Sequence, residues 1–233
     1  MLSVDVLKVF VGPGGVGGNP LGVVVDGSAV PGAAVRQAIA AHLNYSETVF
    51  VDDPDTALLR IYTPARELPF AGHPLVGTSW LLARSGRRPA ELRPPAGKVP
   101  TWTEGEFTWI RGKSAWVPSM EMREYASAAE VDALAGPPPG SGNHYAWTWV
   151  DREAGVVRAR FFAPEMGIAE DEATGSAAVR VTATLGRALT IHQGKGSELL
   201  TRVGPAGTAE VGGRVTFIET RTIDPATVRP APA

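Results

Sequence analysis

Three short segments carry residue types that can hold a small anion and move protons on it. The first, Asn44-Tyr45-Ser46-Glu47-Thr48, places a carboxylate between Leu43 and the apolar run Val49-Phe50-Val51. A carboxylate drawn into a half-dry crevice loses hydration, and its pKa rises towards the range a general acid/base needs. The plainer alternative at a helix-to-strand junction is a solvated charge. The second segment is Leu68-Pro69-Phe70-Ala71-Gly72-His73-Pro74. Proline suits a first helical turn, so Gly72 and His73 stand where unpaired N–H groups and the helix dipole attract an anion. Its alternative is a structural cap with His73 on the surface. The third, Glu170-Asp171-Glu172-Ala173-Thr174-Gly175-Ser176, opens another helix, and there the alternative is ordinary capping by acidic and hydroxyl side chains. If both helix starts faced one crevice, two amide clusters, an imidazole and a carboxylate would surround a small carboxylate.

Other chemistries lack their residues. Gly12-Pro13-Gly14-Gly15-Val16-Gly17 fits the letter of a dinucleotide motif, but a strand pattern follows it where a helix is required. It reads as a mobile surface loop. His42, His73, His144 and His192 form no metal-ligand spacing, and no G-x-S-x-G elbow is present. The chain has no cysteine, which excludes disulfides, thiolate sites and any two-thiol racemase mechanism, and fits a cytoplasmic protein. A formal charge of −2, from 22 basic and 24 acidic residues, argues against nucleic acid as a partner. No apolar run approaches the ~20 residues of a membrane span, and the N-terminus lacks the order of a signal peptide.

Strand patterns over 4–11, 21–25, 48–51 and 57–62 alternate with helix patterns over 31–43 and 73–84. Val35, Ile39 and Leu43 mark the buried face of the first helix. Leu75, Val76, Ser79, Trp80, Leu82 and Ala83 mark that of the second, which stops at Gly86. The Pro- and Arg-rich stretch 87–100 is an excursion between elements. Trp102, Trp109 and Trp116 read as buried aromatics on alternating strands.

The second half echoes the first. Arg60-Ile61-Tyr62-Thr63-Pro64 returns as Arg160-Phe161-Phe162-Ala163-Pro164, an offset of 100, and Gly72 returns as Gly175. Helices over 73–84 and 176–187 follow, closed by Gly86 and Gly186. The strand 48–51 has its counterpart over 146–150, and the first helix a shorter one over 129–134. The period predicts two similar α+β domains, 1–117 and 118–220, with a site between them. The segment 221–233 either returns to the first domain or stays poorly ordered.

Four pieces now line up: Gly18-Asn19-Pro20-Leu21, the segment 44–50, the segment 67–74 and the segment 170–177. Their order and spacing resemble the PhzF family, phenazine-biosynthesis isomerases that share the diaminopimelate epimerase fold. The resemblance runs from about Val4 to Glu219. It implies two pseudo-symmetric α+β domains, each a mostly antiparallel sheet wrapped around a central helix. It implies that Glu47 moves a proton between two carbons of a cyclic carboxylate such as trans-2,3-dihydro-3-hydroxyanthranilate, supported by His73 and Asp171. Gly72 and Ser176 would hold the substrate carboxylate, with Asn19, Ser46, Thr174 and Gly175 also at the substrate. No cofactor or metal is implied, and a homodimer is. The alternatives are an epimerase or racemase acting on another amino-acid derivative, and a binding protein without turnover. The chain departs from the family in being short, in having Glu172 where relatives carry Pro, and in having Gln193-Gly194-Lys195-Gly196-Ser197 for a Gly-Arg-Pro-Ser-like run. It also carries Trp147 and Trp149, expected to reshape the pocket.

Overall fold

The computed structural model describes residues 1–205 and 207–228. The chain starts with the hairpin of β1 (Leu2–Val11) and β2 (Gly17–Val24). Helix α1 (Ala33–Leu43) crosses over to β3 (Glu47–Asp53), parallel to β2. Strands β4 (Leu58–Tyr62) and β5 (Glu67–Leu68) add on antiparallel, and the chain enters α2 (Gly72–Arg84). An antiparallel meander follows, of β6 (Glu91–Leu92), β7 (Val99–Glu104) and β8 (Phe107–Lys113).

The second half repeats this order. Strand β9 (Met120–Glu124) lies parallel to β10 (Asn143–Asp151), with the short α3 (Ala128–Asp132) between them. Strands β11 (Val156–Ala163) and β12 (Ile168–Asp171) pair antiparallel and lead into α4 (Gly175–Leu185). The closing meander is β13 (Leu189–Gln193), β14 (Ser197–Val203) and β15 (Thr208–Ile223). The architecture is therefore α+β, with one mixed sheet in the order β5-β4-β3-β2-β1-β15-β14-β13-β11-β10-β9.

Strand β15 joins the halves. Its first part, Thr208 to Gly213, pairs with β8, and its second part, Arg214 to Ile223, pairs with β1. The segment 221–223 thus returns to the first strand, and Val228 packs against the small cluster of Leu2, Val4 and Ile39. Residues 229–233 of the tail lie outside the described residues.

Helix α2 is buried on nearly every side, from Gly72 to Ser79 and again at Leu81 and Leu82. This is the pattern of a helix enclosed by sheet rather than lying on it. At Gly77 an added Cβ would meet Leu21 and Val9 at 2.5 and 2.7 Å, which shows how closely α2 lies against β1 and β2.

Some expectations need correction. Helix α1 starts at Ala33, after Gly32 at φ 104°, and Val35 is 42% exposed. The buried residue beside it is Arg36, whose guanidinium donates to the carbonyls of Val30 and Gly27 and pairs with Asp52 at 2.5 Å. A satisfied cation thus takes the place in the packing that periodicity assigned to valine. Trp116 lies in a 3₁₀ turn, not on a strand, whereas Trp102 and Trp109 stack across β7 and β8 at 6.3 Å. Helix α4 ends at Leu185, where Gly186 turns left-handed at φ 64° and its N–H reaches the Thr182 carbonyl. This glycine stop cuts two residues from the expected helix.

The N-termini of α2 and α4 touch. A Cβ on Gly72 would lie 2.5 Å from the Gly175 carbonyl carbon and 2.8 Å from the Ser176 nitrogen. Only hydrogen fits there, so Gly72→Ala should cost about 1–3 kcal/mol of overpacking. For a chain of this size that is roughly 2–12 °C in Tm, measurable by thermal denaturation. An unchanged Tm would show that the two helix ends can separate freely.

Candidate active site

The helix contact brings the three segments to one place. Glu47 is the first residue of β3, His73 the second of α2 and Asp171 the last of β12, and each is under a tenth exposed. Asn19, from β2 and fully buried, connects them. Its side-chain amide donates to Asp171 Oδ1 at 2.7 Å and to the Ala173 carbonyl at 2.9 Å. Its own oxygen accepts from the Ser46 hydroxyl at 3.1 Å. Thr174 donates to Asp171 Oδ2 at 2.6 Å, so both oxygens of that carboxylate are engaged. Gln193 completes this side, donating to the Asp171 carbonyl and the Thr174 hydroxyl, both at 2.9 Å.

Glu47 is in a different state. Its Oε2 lies 3.4 Å from His73 Nε2, and neither atom has a hydrogen-bond partner. Burial raises the Glu47 pKa well above 4.5, and the nearby Asp171 charge raises it further. Burial drives His73 the other way, to about 3, against the Pro20 carbonyl that favours its protonated form. At neutral pH the imidazole is neutral, so the pair is no salt bridge. Asp171 is also raised by burial, while bonds from Thr174 and Asn19 hold it down.

A small cavity of about 40 Å³ opens onto these groups. Glu47, Asp171, Thr174, Ser176 and Asn143 supply its polar lining, and the rest is apolar, including Phe70, Val117, Met120, Phe161 and Ile168. Among the described residues, its ionisable lining groups are Glu47, with a free oxygen, and Asp171, with none.

The capping alternatives fail in the structure. Neither α2 nor α4 has a side-chain cap: Ala71 precedes α2, and the Thr174 hydroxyl is turned to Asp171. The leading amides of both helices are therefore without side-chain acceptors, and His73 is buried rather than on the surface. Of the residues expected at the site, Glu47, Asp171, Thr174 and Ser176 line the cavity, whereas Asn19, Ser46, Gly72, His73 and Gly175 do not and are joined to them by the contacts above.

Other expectations differ. Glu170 is at the surface, paired with Arg160 at 2.7 Å. Trp147 and Trp149 pack edge-on against each other, Trp149 beside Arg152 and Arg187, and neither lines the cavity. The strand alternation turns them to other neighbours. Glu172 likewise points away from the cavity, to Lys195 and Ser197. The glycine-rich loop is exposed at Gly14 and Gly15 but packed at its base, where Gly17 meets Ser197. Asn143 carried no signal as a site residue and Gln193 stood out only as the start of the departing run 193–197, since each meets the site from the end of a strand distant in sequence. Among the described residues, no three His, Asp or Glu side chains cluster as a metal site, and no helix is long and apolar enough to cross a membrane.

Fold and site together define a class: a repeated α+β fold in which two helix N-termini meet beside a cavity. Comparison with known proteins agrees. Residues 12–136 match the family described as phenazine biosynthesis-like protein, PhzC-PhzF. The trans-2,3-dihydro-3-hydroxyanthranilate isomerase of Pseudomonas fluorescens is 32% identical over 222 residues, covering 78% of this chain and 80% of that protein. A phenazine biosynthesis protein of the PhzF family from Enterococcus faecalis superposes with a TM-score of 0.71 at 19% identity, over 94% of this chain and 97% of that one. A probable proline racemase from Agrobacterium radiobacter K84 shares the fold more distantly, with a TM-score of 0.64 at 12% identity, over 96% and 93% of the two chains. The chain belongs to the phenazine biosynthesis-like PhzC-PhzF family.

The raised Glu47 pKa has a consequence for stability. Between the ordinary value of 4.5 and its raised value, the folded state binds a proton that the unfolded state has lost, so stability falls as pH rises through that window. Glu47→Gln removes this titration. Its Tm relative to wild type should therefore be higher at pH 8 than at pH 4; a difference independent of pH would mean that Glu47 titrates normally.

Proposed function

We propose that this isomerase moves a proton between two carbons of a small cyclic carboxylate, with Glu47 as its single acid/base. The observation that carries the reading is Glu47 itself, a buried carboxylate with a raised pKa and a free oxygen in a mostly apolar cavity. The halves 1–117 and 118–220 form the walls of the site.

The leading amides of α2, at Gly72 and His73, and of α4, at Gly175 and Ser176, take the substrate carboxylate. Their N–H groups and dipoles also stabilise negative charge that develops on it during reaction. Ionised Glu47 removes a proton from one carbon, and the C–H electron pair passes into the conjugated ring. Protonated Glu47 then returns the proton to another carbon on the same face, and the double bonds end in new positions. No atom is gained or lost. The apolar walls keep water from capturing the proton in transit. Asp171, ionised nearby and held by Asn19 and Thr174, makes Glu47 a stronger base. The neutral His73 imidazole faces its oxygen without trapping it in an ion pair. Stereoinversion normally uses acid/base groups on two faces, and among the described residues the cavity's one other ionisable group is Asp171, whose oxygens are occupied.

The named activity of the Pseudomonas fluorescens relative supplies the test compound. Proton NMR in D₂O with trans-2,3-dihydro-3-hydroxyanthranilate should show isomerisation by wild type. Glu47→Gln should be slower by ~10²–10⁴-fold, the usual contribution of a positioned acid/base, with an unchanged fold by circular dichroism. A Glu47→Gln enzyme of near wild-type rate would remove Glu47 from the mechanism. Wild type inert on this compound would move the substrate elsewhere among cyclic carboxylates.

A further inference from the structure

A second polar cluster, behind the cavity, ties the two halves together through residues outside its lining. Glu172 Oε1 accepts from the Lys195 backbone N–H and from the Ser197 hydroxyl, both at 2.8 Å. The Ser197 oxygen in turn accepts from the Gly18 backbone N–H at 2.8 Å. Ser197 is 1% exposed, so its bond from Gly18 is buried, the bond to Glu172 is partly buried and the bond from Lys195 lies at the surface. Gly18 directly precedes Asn19, whose side-chain amide donates to Asp171 and Ala173, the residues on either side of Glu172. The strand carrying Asn19 and the turn carrying Asp171 are thus fastened twice, once through Asn19 and once through Ser197 and Glu172.

The backbone is shaped for this closure. A Cβ on Gly17 would lie 2.5 Å from the Ser197 nitrogen and 2.6 Å from the Gly196 carbonyl carbon. A Cβ on Gly194 would lie 2.5 Å from the Glu172 carboxyl carbon, and Gly194 has φ +59°. The turn between β13 and β14 therefore closes directly over the Glu172 side chain.

We propose that Glu172 and Ser197 are positioning residues, which set the register of Asn19 against Asp171 and so the placement of the acid/base cluster. The proposal rests on the acid/base reading of the site given above. The amides of α2 and α4 take no part in this fastening, so substrate carboxylate binding stays intact when it is cut. A purely structural role would instead lower the amount of folded enzyme and leave its turnover unchanged.

Four variants test it: Glu172→Ala and Ser197→Ala, which cut the fastening, and Glu172→Gln and Ser197→Thr, which keep an acceptor or a hydroxyl. Ångström-scale displacement of reacting groups costs up to ~10²-fold, and the two alanine variants should lose about tenfold or more in kcat with KM within about twofold. The double alanine variant should be no worse than the poorer single one, because both act through one chain of bonds. The Gln and Thr variants should recover most of the loss. Nitrogen-15 NMR supplies a readout without turnover: the Asn19 side-chain amide hydrogens should exchange with solvent faster in both alanine variants and near the wild-type rate in the other two. Unchanged Asn19 exchange in the alanine variants overturns the proposal, whatever the activity. Unchanged kcat in an active wild-type background overturns it as well. If wild type turns over no test compound while Asn19 exchange responds as described, the positioning stands and the assignment of the substrate fails.

Discussion

Everything at the site depends on two glycines in contact. Gly72 and Gly175 let the positive ends of α2 and α4 meet at a separation that a single methyl group would forbid. Such a contact is electrostatically unfavourable by itself, since each helix end carries about half a positive charge. Anionic groups at the junction offset that cost, and Asp171 is built into the turn that enters α4. The same field that tolerates Asp171 can receive a substrate carboxylate. The repeat explains how the contact arises: each half delivers a strand, a short turn and a helix start to the same point from opposite sides.

Around this contact the polar groups divide into satisfied and unsatisfied. Asp171, Asn19, Thr174 and Gln193 saturate one another, which makes that side rigid. Glu47 and His73 face each other with atoms left unpaired. Leaving buried polar atoms unpaired costs stability, of the order of 1–3 kcal/mol for each group. Other buried atoms, among them those of His144 and Tyr145, are unpaired elsewhere in the fold, but at Glu47 the unpaired oxygen belongs to a group that lines the cavity.

Much of this was legible in the chain itself. The offset between Arg60 and Arg160 signalled the repeat, and proline and glycine punctuation located α2 and α4 to within a residue or two. The segments holding Glu47, His73 and Asp171 stood out because each joins an element boundary to a chemically capable side chain. What escaped was set by tertiary contacts. Arg36 is buried because three distant oxygens receive its guanidinium, and periodicity cannot show that. Gln193 and Ser197 sit on strands of the closing meander, and only folding brings them to Asp171, Glu172 and Gly18. The length of β15 was equally hidden, since Gly212 and Gly213 resemble a break, yet the strand runs through them because Trp109 and Phe10 pack against their bare Cα atoms.

The central claim is that Glu47 is a dry carboxylate whose pKa is lifted by burial and by Asp171. It can be measured directly by carbon-13 NMR titration of the glutamate carboxyl groups, with the Glu47 signal assigned as the one missing from Glu47→Gln. The account predicts a midpoint well above the ordinary 4.5, moving down when Asp171→Asn removes the neighbouring charge. A midpoint at the ordinary value, unmoved by that substitution, would contradict it.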